Sequence, residues 1–250
     1  MYVVAWRGES NKCLENTAEA VEATPSWVPL IEIDTRLTSD GKMVAYHSPT
    51  MRVHGDSREV ADISWDELSK KCILYRKREY RIPLVADLLS SFPGRSFLLH
   101  VKREADISRY LDEVLRFPRA SFFHSNSDRH LAALAGNSKS LGLFKSIYKP
   151  PEPREVLSFV HGYMLGHRAF VSEYSALEVE WLLALRSAKK HLLVFAGSTE
   201  RWIREVVGYD VDGFLTNRFD RALSVLGSEL NYAMDDISLE FELHLPIGDV

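Results

Sequence analysis

Residues 30–48 read Leu-Ile-Glu-Ile-Asp-Thr-Arg-Leu-Thr-Ser-Asp-Gly-Lys-Met-Val-Ala-Tyr-His-Ser, a pattern typical of a short strand, a polar Asp-Gly turn and a second short strand. Glu32 and Asp34 alternate with apolar residues, so both carboxylates project from one face of the first strand. Buried carboxylates are costly unless a cation meets them, and a divalent cation suits them because hard cations bind carboxylate oxygens. The alternative is that an Arg or Lys pairs with one carboxylate while the other lies at a solvated strand end.

The rest of the chain repeats an alternation of strand-like and helix-like segments. About eight strands separated by helices in 250 residues predict an α/β fold whose parallel sheet closes into a (β/α)8 TIM barrel. An open doubly wound sheet is the alternative, but no glycine-rich phosphate-binding motif follows a strand. The predicted strands are 2–6, 30–34, 43–47, 97–101, 120–124, 141–144, 169–172, 192–196 and 213–216. The predicted helices are 15–23, 64–71, 82–92, 106–117, 128–135, 152–160, 177–189, 200–207 and 221–226.

The chain divides into a predicted barrel, residues 1–228, and a C-terminal extension, residues 229–250, expected to pack on the barrel. Residues 237–245 alternate strictly between apolar and polar side chains, which predicts an extra half-buried strand. Such a strand also offers an edge for self-association, through which the chain would form a homo-oligomer.

Composition excludes several classes of function. The chain is 46% hydrophobic and 26% charged with a net charge of -4, typical of a globular protein and without a basic footprint for nucleic acid. Two cysteines do not make a disulfide framework. The start of the chain is too quickly charged for a signal peptide, and no apolar run reaches the length of a membrane span. We therefore expect a cytoplasmic protein.

Polar residues follow several predicted strands. The working residues of a TIM barrel lie at the C-terminal ends of its strands, so these residues are candidates for one common site. They are Trp6-Arg7-Gly8, Glu15-Asn16-Thr17, Glu32, Asp34, His47, His100 and Lys102. The remaining histidines, His124, His130, His161 and His167, lack metal-ligand spacing and are expected at the surface or at strand ends. The basic run 76–81 is expected to be a solvated loop, and the alternative is that it guides an anionic substrate.

In this order the motifs resemble the glycerophosphodiester phosphodiesterase family. The family patterns A-H-R-G, E-N-T, E-x-D, D-G-x-x-V-x-x-H-D-x-T, I-P-T-L-x-E-x-L and V-D-G-I-I-T-D-x-P-D are similar to segments 5–8, 15–17, 32–34, 40–50, 82–89 and 211–220. Phosphatidylinositol-specific phospholipase C and sphingomyelinase D would share the barrel and the E-x-D and histidine layout. The Glu15-Asn16-Thr17 segment and the segment 211–217 favour the glycerophosphodiester family over both.

The resemblance implies a chemistry and a set of roles. Members hydrolyse glycerophosphodiesters to an alcohol and glycerol phosphate with a bound divalent cation, which connects the family to lipid metabolism. Carried onto this chain, the catalytic residues are His47, the acid or base, and Lys102, an electrostatic stabiliser. Arg7 would bind the phosphate and Glu15 would orient the site. The metal ligands would be Glu32 and Asp34, with His100 in the position of a third carboxylate. The expected ligand is a small phosphodiester or sugar phosphate.

The sequence departs from the family pattern at three positions that carry the family's catalytic or metal-binding residues. Trp6 occupies the position of the first catalytic histidine, Ser48 replaces an aspartate, and His100 replaces a glutamate. Losing general acid–base catalysis typically costs about 10²–10⁴-fold in rate, so ordinary family activity is expected to be weak or absent.

Two functions remain open. One is an altered metal-dependent phosphodiesterase, in which Trp6 lines the substrate site and His54 or a metal-bound water replaces the missing base. The cation is Mg²⁺, Ca²⁺, Mn²⁺ or Zn²⁺, and His100 favours Mn²⁺ or Zn²⁺; the alternative is that no cation is bound. The other is a catalytically degenerate member that binds a phosphorylated ligand or a protein partner without turnover.

Overall fold

The computed structural model describes residues 1–51, 56–102, 106–114, 122–137, 142–148, 157–166, 179–209 and 211–227. Its strands are β1 (Tyr2–Trp6), β2 (Leu30–Leu37), β3 (Met43–Ala45), β4 (Cys72–Tyr75), β5 (Arg78–Arg81), β6 (Ser96–Val101), β7 (Phe122–Ser125), β8 (Gly142–Ile147), β9 (Gly162–Leu165), β10 (His191–Phe195) and β11 (Gly213–Thr216). Its α-helices are α1 (Ala18–Glu22), α2 (Trp65–Leu68), α3 (Val85–Ser91), α4 (Ile107–Val114), α5 (Asp128–Asn137), α6 (Val179–Ser187), α7 (Glu200–Val207) and α8 (Phe219–Leu226).

Eight of the strands form a closed parallel barrel. The ring runs β1-β2-β6-β7-β8-β9-β10-β11 and closes because β11 pairs with β1. Helices lie between the ring strands along the chain, as the alternation predicts, and the TIM barrel is confirmed. β3 pairs antiparallel with β2 outside the ring.

The barrel interior is filled by one apolar side chain from each ring strand. These eight residues form a single buried cluster: Val4, Leu30, Leu98, Phe122, Phe144, Met164, Leu193 and Leu215. Because side chains alternate along a strand, the residues two positions further on face inward as well. They form the next layer towards the C-terminal end of the barrel, where the polar strand-end residues lie.

Two sequence-based assignments differ from the structure. The strand before α6 is β9, Gly162–Leu165, whereas the sequence predicted residues 169–172, which lie outside the described part of the chain. The basic run 76–81 belongs to a two-stranded hairpin of β4 and β5, not to an irregular loop. Its turn lacks the Asn-Gly or Asp-Gly dipeptide that usually signals a hairpin.

Several other predictions fall outside the described residues. They concern the C-terminal extension and its strand 237–245, most of the helix 152–160, and the residues His54 and His167. Within the described part of the chain, no helix combines the length and the apolar character needed to cross a membrane.

Candidate active site

A cavity of about 400 Å³ opens at the C-terminal end of the barrel. Its floor is formed by Met164 and Leu215, two members of the eight-residue interior cluster that we call the apolar plug, and by the next inward side chains of the ring strands. The strand periodicity that fills the barrel therefore also positions the site. One side of the cavity is polar and the other is mainly apolar. The lining residues are Trp6, Arg7, Glu32, Asp34, His47, His100, Lys102, His124, Asn126, Ser146, Ile147, Tyr148, Met164, Leu165, Gly166, Phe195 and Leu215.

Glu32, His100 and His124 form a cluster on three adjacent strands. Each offers a ligand atom, and these atoms lie within 4.8 Å of one another. Oε1 of Glu32 lies 3.4 Å from Nε2 of His124 and 3.9 Å from Nδ1 of His100. The two imidazole rings stack with centroids 4.1 Å apart. Parallel pairing of His100 with His124 in register produces this stack.

The electrostatic environment of this cluster favours a bound cation. Oε2 of Glu32 is buried and has no hydrogen-bond partner among the described residues. Burial and the neighbouring Asp34 charge raise the pKa of Glu32, so its carboxylate is destabilised unless a positive charge meets it. Burial and the adjacent His124 lower the pKa of His100 to about 3, which leaves a neutral imidazole. One carboxylate with neutral imidazole is a donor set that fits a first-row divalent metal.

Asp34 is already surrounded by cationic and amide groups. Nε of Arg7 lies 2.6 Å from its Oδ2, Nδ2 of Asn16 donates to the same oxygen at 3.2 Å, and Lys102 forms an ion pair with Oδ1. Nδ1 of His100 lies 3.0 Å from Oδ1. Burial opposes ionisation, but His100 and the charges of Lys102 and Arg7 hold the pKa of Asp34 well below its usual range. Asp34 therefore stays charged and gathers the cationic side chains of the site.

The Glu15-Asn16-Thr17 segment builds this side of the site residue by residue. Glu15 accepts two hydrogen bonds from Nη1 of Arg7, at 3.1 and 2.9 Å. Oδ1 of Asn16 accepts a hydrogen bond from the backbone N–H of Asp34 at 2.9 Å, while its amide nitrogen reaches the Asp34 carboxylate. Thr17 caps the N-terminus of α1 through the backbone N–H of Ala20. The three residues thus fix Arg7, Asp34 and the first helix together.

Arg7 has a constrained backbone as well as a constrained side chain. Its φ is +58°, a left-handed conformation that is unfavourable for a residue with a side chain. Its N–H donates to the carbonyl of Glu32, and its own carbonyl accepts from the N–H of Asn16. Gly8 follows because a Cβ there would lie 2.7 Å from backbone atoms of Ala20. The turn therefore holds the guanidinium at the cavity wall.

Trp6 starts the apolar side of the cavity. Its ring meets Phe195 edge-on with centroids 4.3 Å apart, and the Arg7 guanidinium lies 4.6 Å from its centroid. The indole therefore fills this strand end and braces the arginine, but it cannot transfer a proton.

His47 and Lys102 complete the polar side. The His47 side chain keeps a solvent-exposed surface, but desolvation by the groups around it, with help from the Arg7 and Lys102 charges and against that of Asp34, lowers its pKa, so its imidazole is neutral at neutral pH. Lys102 is 8% exposed, and its Nζ lies 2.8 Å from Nδ1 of His100. Both line the cavity.

The structure brings almost all of the predicted site residues into one cavity. Trp6, Arg7, Glu32, Asp34, His47, His100 and Lys102 line it, and Glu15 reaches it through Arg7. Their catalytic and metal-binding roles stay predictions.

His124 is the residue that sequence reasoning missed. It is 3% exposed, and its Nδ1 lies 2.8 Å from the Ser146 hydroxyl. His124 does lie at a strand end, as the sequence predicts, but there it joins the cluster with Glu32 and His100. The expectation of a surface or strand-end position is wrong for His130, which is 5% exposed on α5. The available signal was its place two residues after Phe122 at the end of a strand neighbouring β6.

Comparison with known proteins gives one family match. The model of the glycerophosphoryl diester phosphodiesterase family matches residues 7–221. Among curated proteins, the uncharacterized protein YqiK of Bacillus subtilis is 29% identical over 128 residues. That alignment covers 46% of this chain and 53% of the relative, so it spans about half the length of each.

Solved structures share the fold. A glycerophosphodiester phosphodiesterase from Agrobacterium tumefaciens superposes with a TM-score of 0.74 at 16% identity, covering 90% of this chain and 100% of that one. A phosphodiesterase from Oleispira antarctica, in complex with the product sn-glycerol-3-phosphate, gives 0.75 at 17% identity, covering 90% and 96%. A glycerophosphodiester phosphodiesterase from Thermotoga maritima gives 0.66 at 23% identity, covering 90% and 97%.

Proposed function

The chain belongs to the glycerophosphoryl diester phosphodiesterase family, and from this premise we propose that it is a phosphoric diester hydrolase whose divalent cation is held by Glu32, His100 and His124. The observation that carries the proposal is the buried Glu32 oxygen without a hydrogen-bond partner among the described residues, beside two stacked imidazoles. A bound divalent cation polarises phosphoryl oxygens and neutralises developing charge.

The side chains around the cluster have matching roles. Arg7, held by Glu15 and Asp34, would bind a phosphate oxygen, because a guanidinium suits phosphate geometry. Lys102, which pairs with the other carboxylate oxygen of Asp34, would stabilise negative charge on the phosphate. His47, neutral at neutral pH, would accept a proton from the attacking water or return one to the leaving alcohol. Asp34, committed to Arg7 and Lys102, would set the positions of both cations, and direct metal ligation by Asp34 stays a prediction.

Metal-dependent hydrolysis tests the proposal. We expect metal-free protein supplied with Mn²⁺ or Zn²⁺ to hydrolyse bis(p-nitrophenyl) phosphate or glycerophosphocholine. Glu32→Gln should lose this activity. Glu9→Gln is a matched control, because Glu9 is also buried, at 3% exposure, but does not line the cavity. Activity that does not respond to metal, or that survives Glu32→Gln, would rule the proposal out.

A non-catalytic binder is the second candidate, and Trp6 is the observation that favours it. The indole occupies the end of β1, packed between Phe195 and Arg7, and cannot act as a general acid or base. In that case Arg7 and Lys102 would hold a phosphorylated ligand without turnover, and Trp6→His with Ser48→Asp and His100→Glu would create activity absent from the wild type. Wild-type turnover that His47→Ala removes would eliminate this candidate.

A further inference from the structure

The β4–β5 hairpin, residues 72–81, is a basic element on an acidic protein. We refer to it as the basic hairpin. It carries four basic side chains and one acidic one, against a net charge of -4 for the chain. All four basic residues, Arg76, Lys77, Arg78 and Arg81, are exposed. Among the described residues, none of the four forms an ion pair with a carboxylate; Arg76 and Arg81 donate instead to the backbone carbonyls of Asn11 and Ser69.

The turn of the basic hairpin adopts an unfavourable conformation. Arg76 and Lys77 have φ of +50° and +66°, so both central residues of the two-residue turn are left-handed. Such turns favour Asn-Gly or Gly-Gly, because side chains with a Cβ are strained there. The turn nevertheless consists of two long cationic residues, of which Arg76 is held by the Asn11 carbonyl and the Tyr75 ring, while Lys77 is exposed at the tip.

The outward face of the basic hairpin also exposes an apolar side chain. Leu74 is 68% exposed and pairs with Glu79, while Cys72 pairs with Arg81 on the same face. Residues on the inward face pack against the barrel, including Tyr80 at 3% exposure. The hairpin is therefore anchored on one face. The other face presents Leu74 with Glu79 and Arg81, and Arg76 and Lys77 are exposed at the turn next to it.

The basic hairpin lies beside the mouth of the active-site barrel. Arg76 bonds to the loop that follows β1, and Tyr80 packs in one cluster with Cys13 of that loop. Ile73 lines a smaller pocket of about 190 Å³ together with Glu15 and His47. A surface that met the hairpin would therefore also meet the open end of the barrel.

We propose that the basic hairpin docks the protein on an anionic lipid surface, with Leu74 in contact with the bilayer interface. Anionic membranes attract clusters of Lys and Arg, and each basic side chain near the surface is expected to add roughly five-fold to the partition coefficient. An apolar side chain beside the cations adds contact that a soluble polyanion cannot provide. The docking does not depend on catalysis, so it can fail or hold independently of the hydrolase proposal.

Lys77 and Lys189 make a matched pair for the test. Both are exposed lysines with positive φ, but Lys189 follows α6 and precedes β10, at the N-terminal end of the barrel. Full-length protein is sedimented with vesicles of phosphatidylcholine alone or with about a third phosphatidylserine, at about 0.1 M salt. We expect binding only to the anionic vesicles. Lys77→Glu should weaken it roughly twenty-five-fold and Lys77→Gly roughly five-fold, while Lys189→Glu and Lys189→Gly leave it unchanged.

The glycine variants protect the test against misfolding, because glycine relieves the positive φ at either site, and circular dichroism confirms that each variant is folded. Equal vesicle binding by the Lys77 and Lys189 variants, or no binding by the wild type, would overturn the proposal. The proposal would also be overturned if the Leu74→Ser variant bound anionic vesicles as tightly as the wild type does. Binding of a single-stranded oligonucleotide that depends on Lys77, without binding to vesicles, would make the hairpin a polyanion site instead.

Discussion

At the scale of the residue, Glu32 owes its environment to one step of strand periodicity. Leu30 belongs to the apolar plug of the barrel, and Glu32 is the next inward side chain, so it is placed in the lowest layer of the cavity. There burial and Asp34 raise its pKa, while the histidines of β6 and β7 stand next to it. A cation at this point would bind the Glu32 carboxylate, whose Oε2 has no hydrogen-bond partner among the described residues.

His47 supports a prediction about pH. Burial and nearby cations lower its pKa below the ordinary value, which is about 6.5. A general base must be deprotonated, so we expect kcat/KM to hold constant as the pH falls through 6.5 and to decline only at lower pH. His47→Gln should reduce kcat by about 10²–10⁴-fold and remove that acid limb. The measurement is the pH profile of kcat/KM for wild type and variant. An acid limb above pH 6.5 in the wild type, or an acid limb that His47→Gln retains, would contradict this role.

The residues of the site differ in how far the sequence predicts them. Strand-end position predicts that Glu32, Asp34, His100 and Lys102 share one cavity, and they do. Sequence does not reveal that Asp34 would be surrounded by Arg7, Asn16 and Lys102, because those contacts depend on the register of β2 with β6 and on the loop after β1. His124 was missed for the same reason, since only the pairing of β6 with β7 places it beside His100.

At the scale of the element, Asp212 joins three segments at the N-terminal end of the barrel. Its carboxylate accepts two hydrogen bonds from Nη1 of Arg186 on α6, at 3.1 and 2.9 Å, and one from the backbone N–H of Leu192 on β10 at 2.7 Å. It immediately precedes β11. Burial opposes its ionisation, but His191, the Leu192 N–H and Arg186 lower the pKa of Asp212.

Asp212→Asn is therefore expected to lower the free energy of unfolding by about 1–3 kcal/mol at neutral pH. Because the folded pKa is lowered, this contribution is fully present above the unfolded value of about 3.9 and is lost as the pH falls through the folded pKa. Denaturant unfolding at several pH values measures it. Asp66→Asn is the control, since Asp66 forms an exposed pair with Lys70 and should change stability by less than about 0.5 kcal/mol. If the difference in free energy of unfolding between wild type and Asp212→Asn did not decrease at acid pH, this prediction would be wrong.

The sequence does not predict β9, and the reason is physical. β9 is bounded by glycines, and its Gly162 is required because a Cβ there would lie 2.4 Å from the carbonyl oxygen of His191. Glycine normally weakens a strand prediction, and the strand that the sequence predicts before α6, residues 169–172, lies outside the described residues. Close approach of neighbouring strands is a tertiary property that no local pattern reports. By contrast, α7 and β11 have the bounds that the sequence predicts, 200–207 and 213–216.

At the scale of the whole molecule, the barrel and the proposed cation site are coupled. Glu32, His100 and His124 come from three neighbouring strands of the ring, so an ion bound by them would link β2, β6 and β7 and bind only the folded chain. Binding to the native state alone stabilises it, by about 2.7 kcal/mol at a free metal concentration one hundred times the Kd.

Calorimetric titration of the metal-free protein with Zn²⁺ and Mn²⁺ measures whether Glu32, His100 and His124 hold a divalent cation. We predict one equivalent bound by the wild type, binding weakened at least roughly ten-fold in Glu32→Gln and in His124→Gln, and wild-type binding in His130→Gln, whose buried histidine does not line the cavity. Absence of binding in the wild type, or binding that Glu32→Gln and His124→Gln leave unchanged, would contradict the site.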